Sequence, residues 1–438
     1  MQINRKIGWV SAAAIVVANM IGAGVFTGLG MQLKYLGNTW TILSLWVIGG
    51  VISLFGAFSY AELGVRLPKS GGDYHFLSRI FHPMLGYLSG WVSLTVGFSA
   101  SIALSAMAMG AYLSDIFSLH GELIALLAIA GISAMHSFSL RHSSLFQNAL
   151  TFVKLLLIVL LIFGGFSIAQ DTNALDWSTG WRHEIGQPAY AVALIYVMYS
   201  FSGWNAAAYI VDEIRHPARN LPRALIGGTL LVGVLYVLLQ LSFLRQAPRE
   251  SLLDKVEVGQ VVASFMLGHN GAQVVSILIA ALLLAGISAM VWVGPRVVRA
   301  MADDHTFWRY FARDNSWGVP VRAIWLQTAI SVFMVITSSF EQVLLYSGFV
   351  LQLFTTLTVA GLLVLRQRGG TYEGYRSPAY PWLQYLFLAF SIWVLGYLLW
   401  DKPRESLLGL VNIAAGAASF WWSRRGGREG GSERGREH

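Results

Sequence analysis

Residues 189–223 decide the fold of this chain, and they read AYAVALIYVMYSFSGWNAAAYIVDEIRHPARNLPR. The stretch begins as an apolar helix over Ala191–Met198, and its apolar character resumes over Ala206–Val211 before charged residues follow. Between them lies Ser200–Asn205, a run that packs poorly against lipid. A bilayer tolerates such an interruption only where the freed backbone lines a cavity or is buried in protein. The pattern predicts a discontinuous transmembrane helix, which in secondary transporters forms the substrate site.

A second interruption lies in the first apolar run, WVSAAAIVVANMIGAGVFTGLG, which spans Trp9–Gly30. Ile21, Gly22, Ala23 and Gly24 occupy its middle. Small residues in a membrane helix often do no more than allow close helix packing. Paired interruptions at corresponding places of two halves instead indicate a transporter binding site. Because one break opens each half of this chain, we favour the second interpretation.

The composition is that of a polytopic membrane protein. Of 438 residues, 55% are hydrophobic and 12% are charged, about half the charged fraction of a soluble domain. The absence of cysteine excludes disulfides, Fe–S clusters and thiolate catalysis. The net charge of +8 does not indicate nucleic-acid binding, because the basic residues are spread over short loops.

Hydropathy predicts twelve membrane spans joined by short connections. We place them at Trp9–Met31, Thr41–Val65, Met84–Leu113, Leu123–Ser139, Leu145–Ala169, Tyr190–Val211, Leu225–Phe243, Ala272–Val298, Ala323–Ser338, Val343–Leu365, Leu383–Leu399 and Ser406–Trp422.

Charge asymmetry predicts the orientation of these spans. If the N-terminus is cytoplasmic, 22 Lys and Arg residues lie on the cytoplasmic side and 7 on the outer side, while Lys154 lies within a membrane span. A bias of this size favours cytoplasmic N- and C-termini. Residues 426–438, rich in Gly, Arg and Glu, predict a disordered cytoplasmic tail.

Four separated stretches resemble the amino acid–polyamine–organocation superfamily, in the same order. IGAGVF from Ile21 resembles its unwound first helix, and Leu43–Trp91 resembles its second span, inner loop and third span. SGWNAAAYIVDEIRHPARNLPRAL from Ser202 resembles its sixth span, and Gly294–Ile324 resembles the passage from the eighth span to the ninth. The SGWN, ELGVRLP and NLPRA segments are most similar to the L-type amino acid transporter branch.

That resemblance implies an all-α membrane protein with discontinuous helices 1 and 6. Two inverted five-helix repeats would occupy about 9–170 and 188–366, with peripheral helices at about 380–423 in one domain of residues 1–425. It also implies alternating access in the cytoplasmic membrane. Eukaryotic L-type light chains attach to a heavy chain through a cysteine; since this chain has none, we expect it to work alone, as prokaryotic members do.

The predicted substrate site lies at the two breaks. A helix N-terminus exposed by unwinding favours a carboxylate, and carbonyls freed on the other side of each break accept hydrogen bonds from an ammonium group. The family places its contacts to the substrate backbone there. The predicted substrate-binding residues are Ile21, Gly22, Ala23, Gly24, Ser200, Phe201, Ser202 and Gly203.

Every Asp and Glu lies at a predicted helix end or in a loop. A cationic side chain or a polyamine would require a buried acidic partner, so the sequence favours neutral amino acids. The same absence weakens a sodium-coupled mechanism, because hard cations prefer oxygen ligands and often carboxylates. We expect no cofactor and no metal site.

Lys154 lies about nine residues, or roughly 14 Å, into the fifth span. Too deep to reach either interface easily, it should have partners inside the bundle. By the resemblance, it replaces the sodium site of sodium-coupled relatives and contacts carbonyls near Ile21 and Gly22, together with Ser288. It is then a fixed link between helices, a permanent cation or a proton-titrated coupling residue.

Four further residues are predicted to gate the site. In the family an aromatic residue just before the Gly-Trp-Asn sequence closes the outer side, which matches Tyr199, with Phe201 as the adjacent alternative. Trp204 is either a gate or a packing residue, and Asn205 needs hydrogen-bond partners if it faces the bundle. Glu62 belongs to a charged group at the inner helix ends, where pairs would break on opening.

These features predict a transporter of neutral L-amino acids that works by exchange, or alternatively by proton symport. A non-transporting amino acid sensor on the same fold is a third hypothesis. An enzyme is disfavoured, because His183-Glu184 is not followed by the second histidine of a zinc site and no G-x-S-x-G or G-K-[ST] motif occurs. A channel would require a continuous pore with a selectivity filter, which broken helices do not provide.

Overall fold

The computed structural model describes residues 7–138, 144–168, 175–316, 318–369 and 372–432, apart from the side chains of residues 144–150 and 424–432. Within those ranges all regular elements are helical, and an isolated parallel β-bridge joins Ile7 to Ile214.

Eleven helical elements precede the second break. They are α1 (Trp9–Met20), α2 (Ala23–Gln32), α3 (Thr39–Arg66), α4 (Asp73–Ile80), α5 (Pro83–Val92), a π-helical segment (Ser93–Phe98), α6 (Ser99–Phe117), α7 (Gly121–Phe138), α8 (Ser144–Ser167), α9 (Trp181–Ile185) and α10 (Pro188–Phe201).

A 3₁₀ segment and eight α-helices follow it. They are the 3₁₀ segment (Ala206–Glu213), α11 (Pro217–Gln246), α12 (Arg249–Leu252), α13 (Val258–Asp304), α14 (Thr306–Arg309), α15 (Val321–Thr337), α16 (Phe340–Gln367), α17 (Trp382–Asp401) and α18 (Pro403–Ser432).

Each of the twelve predicted spans falls on one of these helices or on a consecutive group of them. Among the described residues, nine helical stretches are long and apolar enough to cross a bilayer, so the chain is a multi-pass membrane protein. Two further apolar helices, Thr151–Ser167 and Val321–Thr337, are shorter. Ser139 and Ala169, the predicted ends of two spans, lie outside the described residues.

The helices run beyond the predicted spans where polar residues continue the helix outside the apolar run. Pro217 begins α11 well before Leu225, at a first-turn position where its missing N–H costs nothing. α13 starts at Val258 and is kinked at Gly268, whose φ of +70° suits glycine. α18 continues to Ser432, past the predicted start of the tail at Gly426, and residues 433–438 lie outside the described part.

The two interrupted helices form the centre of the bundle. All ten residues of α2 are buried, and so is every residue of α10 from Tyr190 onward. Helices that are apolar on all sides need protein around them. Here α3, α11, α13, α16 and α17 surround α2 and α10, while α7 and α17 carry large apolar side chains on the outer surface.

Candidate functional site

The first break is short. α1 ends at Met20, Ile21 takes an extended conformation, and α2 begins at Ala23 with Gly22 as its N-terminal capping residue. The amide of Ile21 still donates to the carbonyl of Val17 at 3.0 Å. The break therefore comprises Ile21 and Gly22, while Ala23 and Gly24 already belong to the first turn of α2.

The second break is longer and depends on a glycine. α10 ends at Phe201, and Ser202 and Gly203 leave the helix. Gly203 has a φ of +96°, a left-handed conformation that residues with a Cβ rarely adopt. Beyond Asn205 the chain continues as the 3₁₀ segment rather than as an α-helix.

Two pairs of residues bring the breaks into contact. A Cβ on Gly24 would lie 2.6 Å from Oγ of Ser200, and a Cβ on Gly203 would lie 2.8 Å from the carbonyl oxygen of Asn19. Glycine is needed at both places because any side chain would force the two backbones apart. The structure thus brings the two predicted halves of the site together.

The first turn of α2 supplies amide donors beside the junction. The amides of Gly22, Ala23, Gly24 and Val25 precede the first intrahelical bonds, as in any helix N-terminus. A Cβ on Gly22 would meet nothing within 4 Å, so there is open space beside this residue. Partial positive charge and free donors at such an end favour an anionic group such as a carboxylate.

Lys154 of α8 holds the opposite side of the first break. Its Nζ donates to the carbonyl oxygen of Ile21 at 3.0 Å and to that of Ala18 at 3.4 Å. These carbonyls lie at the end of α1, where the partial negative charge of the helix attracts a cation. Oγ of Ser288 in α13 lies 2.9 Å from Nε2 of His136.

Tyr236 of α11 connects the two breaks and was not among the predicted residues. Its hydroxyl group lies 2.7 Å from the carbonyl oxygen of Met20 and 3.3 Å from that of Ser200. One turn further along α11, Gln240 donates to the carbonyl oxygen of Val25 at 3.1 Å. A tyrosine and a glutamine four residues apart in an apolar span share one helix face, which is the sequence signal that could have identified them.

The aromatic residues of the second break point in different directions. The hydroxyl of Tyr199 lies 3.4 Å from Oγ of Ser101 in α6. The Phe201 ring packs on Tyr236, with ring centroids 5.2 Å apart, and the Trp204 ring packs edge-on against Tyr60 at 4.8 Å. Of the predicted gate residues, Tyr199 therefore faces α6 and Trp204 faces α3, while Asn205 is half-buried at the start of the 3₁₀ segment.

Comparison with known proteins agrees with this geometry. Residues 7–415 match the model of a family described as amino acid permease. The chain belongs to the amino acid permease family. The superfamily resemblance seen in the sequence is confirmed, and the chain is a transporter and not an enzyme.

Several curated relatives resemble this permease along nearly its whole length. The serine/threonine exchanger SteT of Bacillus subtilis is 27% identical over 94% of this chain and 95% of its own. The large neutral amino acids transporter small subunit 2 of Rattus norvegicus is 27% identical over 96% of this chain and 80% of its own. The human cystine/glutamate transporter is 26% identical, covering 96% and 85% respectively.

At one end of the permease, Glu62 joins three elements. Its buried carboxylate accepts three hydrogen bonds: from Nε of Arg66 at 2.7 Å, from Nε of Arg366 in α16 at 2.8 Å, and from the amide of Ser377 at 2.7 Å. A second nitrogen of Arg366 completes a two-pronged contact. Arg66 lies on α3 itself, while Arg366 and Ser377 lie on α16 and the following loop, so Glu62 links α3 to α16.

The opposite end of the bundle carries a polar cluster around Glu341, which was not predicted from the sequence. Its carboxylate accepts hydrogen bonds from Tyr196 of α10 at 2.7 Å, from Tyr35 at 3.0 Å and from Lys34 at 2.8 Å. Lys34 also forms an ion pair with Asp254 at 2.6 Å. Burial lowers the pKa of Lys34, but the hydrogen bonds and charges of Asp254 and Glu341 outweigh it, and the pKa is raised. The cluster ties the segment after α2 and the start of α16 to Tyr196 of α10.

Proposed function

We propose that this permease exchanges neutral L-amino acids across the cytoplasmic membrane by alternating access. The observation that carries the proposal is the junction of the two breaks. There, open amide donors of α2 suit the carboxylate of an amino acid, and the carbonyls of the second break suit its ammonium group. The proposed contact residues remain Ile21–Gly24 and Ser200–Gly203, with the amides of Gly22, Ala23 and Gly24 as the donors.

Neutral substrates fit the side chains that bond to the broken backbone. Among the described residues they include Lys154, Tyr236 and Gln240, none of which is acidic. A cationic substrate side chain would meet the ammonium of Lys154 without a compensating carboxylate. The serine/threonine exchanger among the relatives supports both the exchange mechanism and the substrate class.

We propose twelve spans with cytoplasmic termini. Ten would form the two inverted repeats and two would be peripheral, within the domain bounds predicted from the sequence. The excess of Lys and Arg on one side supports this orientation. The Glu62 end of the bundle is then cytoplasmic and the Glu341 cluster is external. Since the chain has no cysteine, we propose that it functions without a disulfide-linked heavy chain.

Proton-coupled symport is the second candidate, and the contacts of Lys154 favour it. Its described hydrogen bonds go to neutral carbonyl oxygens and not to a carboxylate. An uncharged amine keeps two N–H donors and can maintain both bonds, so the site does not require a permanent charge. Loss of the proton would then remove a positive charge from the end of α1 while both hydrogen bonds remain.

Uptake of radiolabelled neutral amino acids into proteoliposomes tests these mechanisms. Uptake that requires internal amino acid and ignores a pH gradient supports exchange. Uptake into empty vesicles driven by an inward proton gradient supports symport. Absence of uptake for a broad amino acid panel, with binding retained, would overturn both and favour a sensor.

A further inference from the structure

The 3₁₀ segment after the second break is weakly supported by its own hydrogen bonds. It is eight residues long, and Ile210 inside it departs from helical geometry, with φ −127° and ψ 27°. Stretches of 3₁₀-helix longer than three or four residues are uncommon, because their hydrogen-bond geometry is poor. Such a segment depends on contacts with its neighbours. At its end, the amide of Ile7 donates to the carbonyl oxygen of Glu213 at 3.1 Å.

The Ser70–Asp73 loop, which ends on Asp73 as the first residue of α4, contacts this segment at Tyr209 and Asp212. The amide of Gly71 donates to the carbonyl oxygen of Tyr209 at 3.1 Å, and the hydroxyl of Ser70 contacts the carboxylate of Asp212. Gly72 has a φ of +51°, and a Cβ there would lie 2.7 Å from the Tyr209 ring. The loop therefore contacts both the backbone and the ring of Tyr209.

Asp73 completes the clamp from a buried position. Its Oδ2 accepts from the hydroxyl of Tyr209 at 3.0 Å. Its Oδ1 accepts from Tyr60 of α3 at 2.5 Å and from Thr358 of α16 at 3.0 Å. Asp73 is 7% exposed. Within the described part of the chain, it forms no ion pair. Three neutral hydroxyl groups thus surround a buried carboxyl.

The charged groups on the surrounding elements are occupied elsewhere or lie on neighbouring turns. Glu62 of α3 is bonded to Arg66 and Arg366, Asp212 contacts Ser70, and Tyr74 of α4 bonds to Asp304. Burial, together with the positive charges of Lys69 and Arg79, lowers the pKa of His75 on α4. Arg368 of α16 donates a hydrogen bond to the carbonyl oxygen of Ile80 at the end of α4, and Glu213 lies at the end of the 3₁₀ segment.

A proton fits this arrangement. Burial raises the pKa of Asp73, although the hydroxyls of Tyr60, Tyr209 and Thr358 act in the opposite direction. A protonated Oδ2 can donate to the oxygen of Tyr209 while Oδ1 continues to accept from Tyr60 and Thr358, so all three contacts survive. If the loop separates from the 3₁₀ segment, water reaches the carboxyl and its pKa returns toward the ordinary value. Protons therefore bind more tightly to the clamped state, and acid favours that state.

We propose that Asp73 is a proton-binding site that latches the 3₁₀ segment to the Ser70–Asp73 loop, so that acidification on that side keeps this end of the transporter closed. The assignment of that side to the cytoplasm rests on the topology under Proposed function. Opening toward the cytoplasm separates Tyr209 from Asp73 and releases the proton into the cytoplasm. The latch controls access to the site, and does not itself contact substrate.

Thiol labelling tests the latch without requiring a transport assay. Because the chain has no cysteine, Ala207→Cys places a single thiol at a buried position of the 3₁₀ segment. Inside-out vesicles are treated with a membrane-impermeant maleimide at two pH values, about 5.5 and about 7.5, because burial raises the pKa of a carboxyl. Each rate is divided by that of the same protein unfolded in detergent at the same pH, which removes the titration of the thiol itself. We expect several-fold slower labelling at the lower pH.

Variants of the latch and its neighbours separate the contributions. In the Ala207→Cys protein, Asp73→Asn mimics the protonated carboxyl and should label slowly at both pH values. Tyr209→Phe removes the hydroxyl and should label several-fold faster than the parent at both. Tyr74→Phe and His75→Gln, on the same helix, should retain the pH dependence of the parent. Unchanged pH dependence in Asp73→Asn, or unchanged labelling in Tyr209→Phe, would overturn the latch, whereas failure of amino acid uptake alone would affect only the proposed function.

Discussion

Gly24 and Ser200 approach so closely that a Cβ on Gly24 would lie 2.8 Å from the Cα of Ser200, as well as 2.6 Å from its Oγ. The Cα is a backbone atom, so no change of side-chain rotamer relieves the contact. The two broken helices therefore meet through their backbones at this pair. A separation between them is expected to disturb both proposed halves of the substrate site together.

Gly24→Ala should nearly abolish substrate binding and destabilise the permease. Overpacking of a closely packed interior costs about 1–3 kcal/mol. Gly227→Ala in α11 is the matched control, because a Cβ there meets nothing within 4 Å. It should keep transport and thermal stability. Uptake and thermal unfolding of the purified variants measure both effects, and normal uptake by Gly24→Ala would contradict the close contact.

Tyr236→Phe should weaken substrate binding by about tenfold, because it removes the hydroxyl proton that the carbonyl oxygens of Met20 and Ser200 share. Leaving a buried acceptor without its donor costs about 1–3 kcal/mol. Tyr190→Phe is the control; its hydroxyl bonds to Ser44, outside the breaks. Equilibrium binding and transport kinetics are compared for the two variants. Equal losses in both would show that the junction has no special dependence on Tyr236.

Lys154→Met should eliminate most transport while leaving a folded protein. The substitution keeps much of the side-chain length but removes the donor to the carbonyl oxygens of Ile21 and Ala18. Initial uptake rates should fall at least about tenfold, in line with the loss of a charge-assisted hydrogen bond of about 1.5–3 kcal/mol. Size-exclusion chromatography monitors folding. Wild-type rates in Lys154→Met would remove this residue from the mechanism.

Glu62→Gln should reduce stability more than it alters substrate affinity. Removing one partner of a buried ion pair costs about 3–5 kcal/mol, because the other charge is left uncompensated. Arg366→Gln should cost a similar amount, and the double variant should lose less than the sum of the two. Thermal unfolding of the four proteins completes this cycle. Additive losses would show that the two residues do not act as a pair, and a large change in transport without loss of stability would favour the gate hypothesis for Glu62.

The position of both breaks could be predicted from the sequence because Gly, Ser and Asn interrupt otherwise apolar runs. Their lengths could not. Helix geometry resumes already at Ala23, and the second half of the sixth span is a 3₁₀ segment whose residues Ala206–Val211 look like an ordinary apolar helix. The conformation there depends on contacts with the Ser70–Asp73 loop, which lies more than a hundred residues away in the sequence.

The residues that hold the site from a distance were harder to predict. Tyr236 looks like a packing residue within an apolar span, while Glu341 and Asp73 lie at helix ends, where acidic residues are usually solvated. Their roles follow from partners that are distant in the sequence. Tyr236 bonds to Met20 and Ser200, and Glu341 bonds to Lys34 and Tyr196. Asp73 bonds to Tyr60, Tyr209 and Thr358. Lys154 differs because a cation deep in a membrane span requires partners wherever it lies.

The complete burial of α2 has a consequence for the natural variation of this permease. None of the residues Ala23–Gln32 has a surface that could face lipid, so even a change from one aliphatic side chain to another must be accommodated by protein neighbours. Exposed positions of α17 such as Ile392 need only remain apolar. Sequence drift among descendants of this protein should therefore be slow along α2 and fast along the outer face of α17, whichever amino acid they carry.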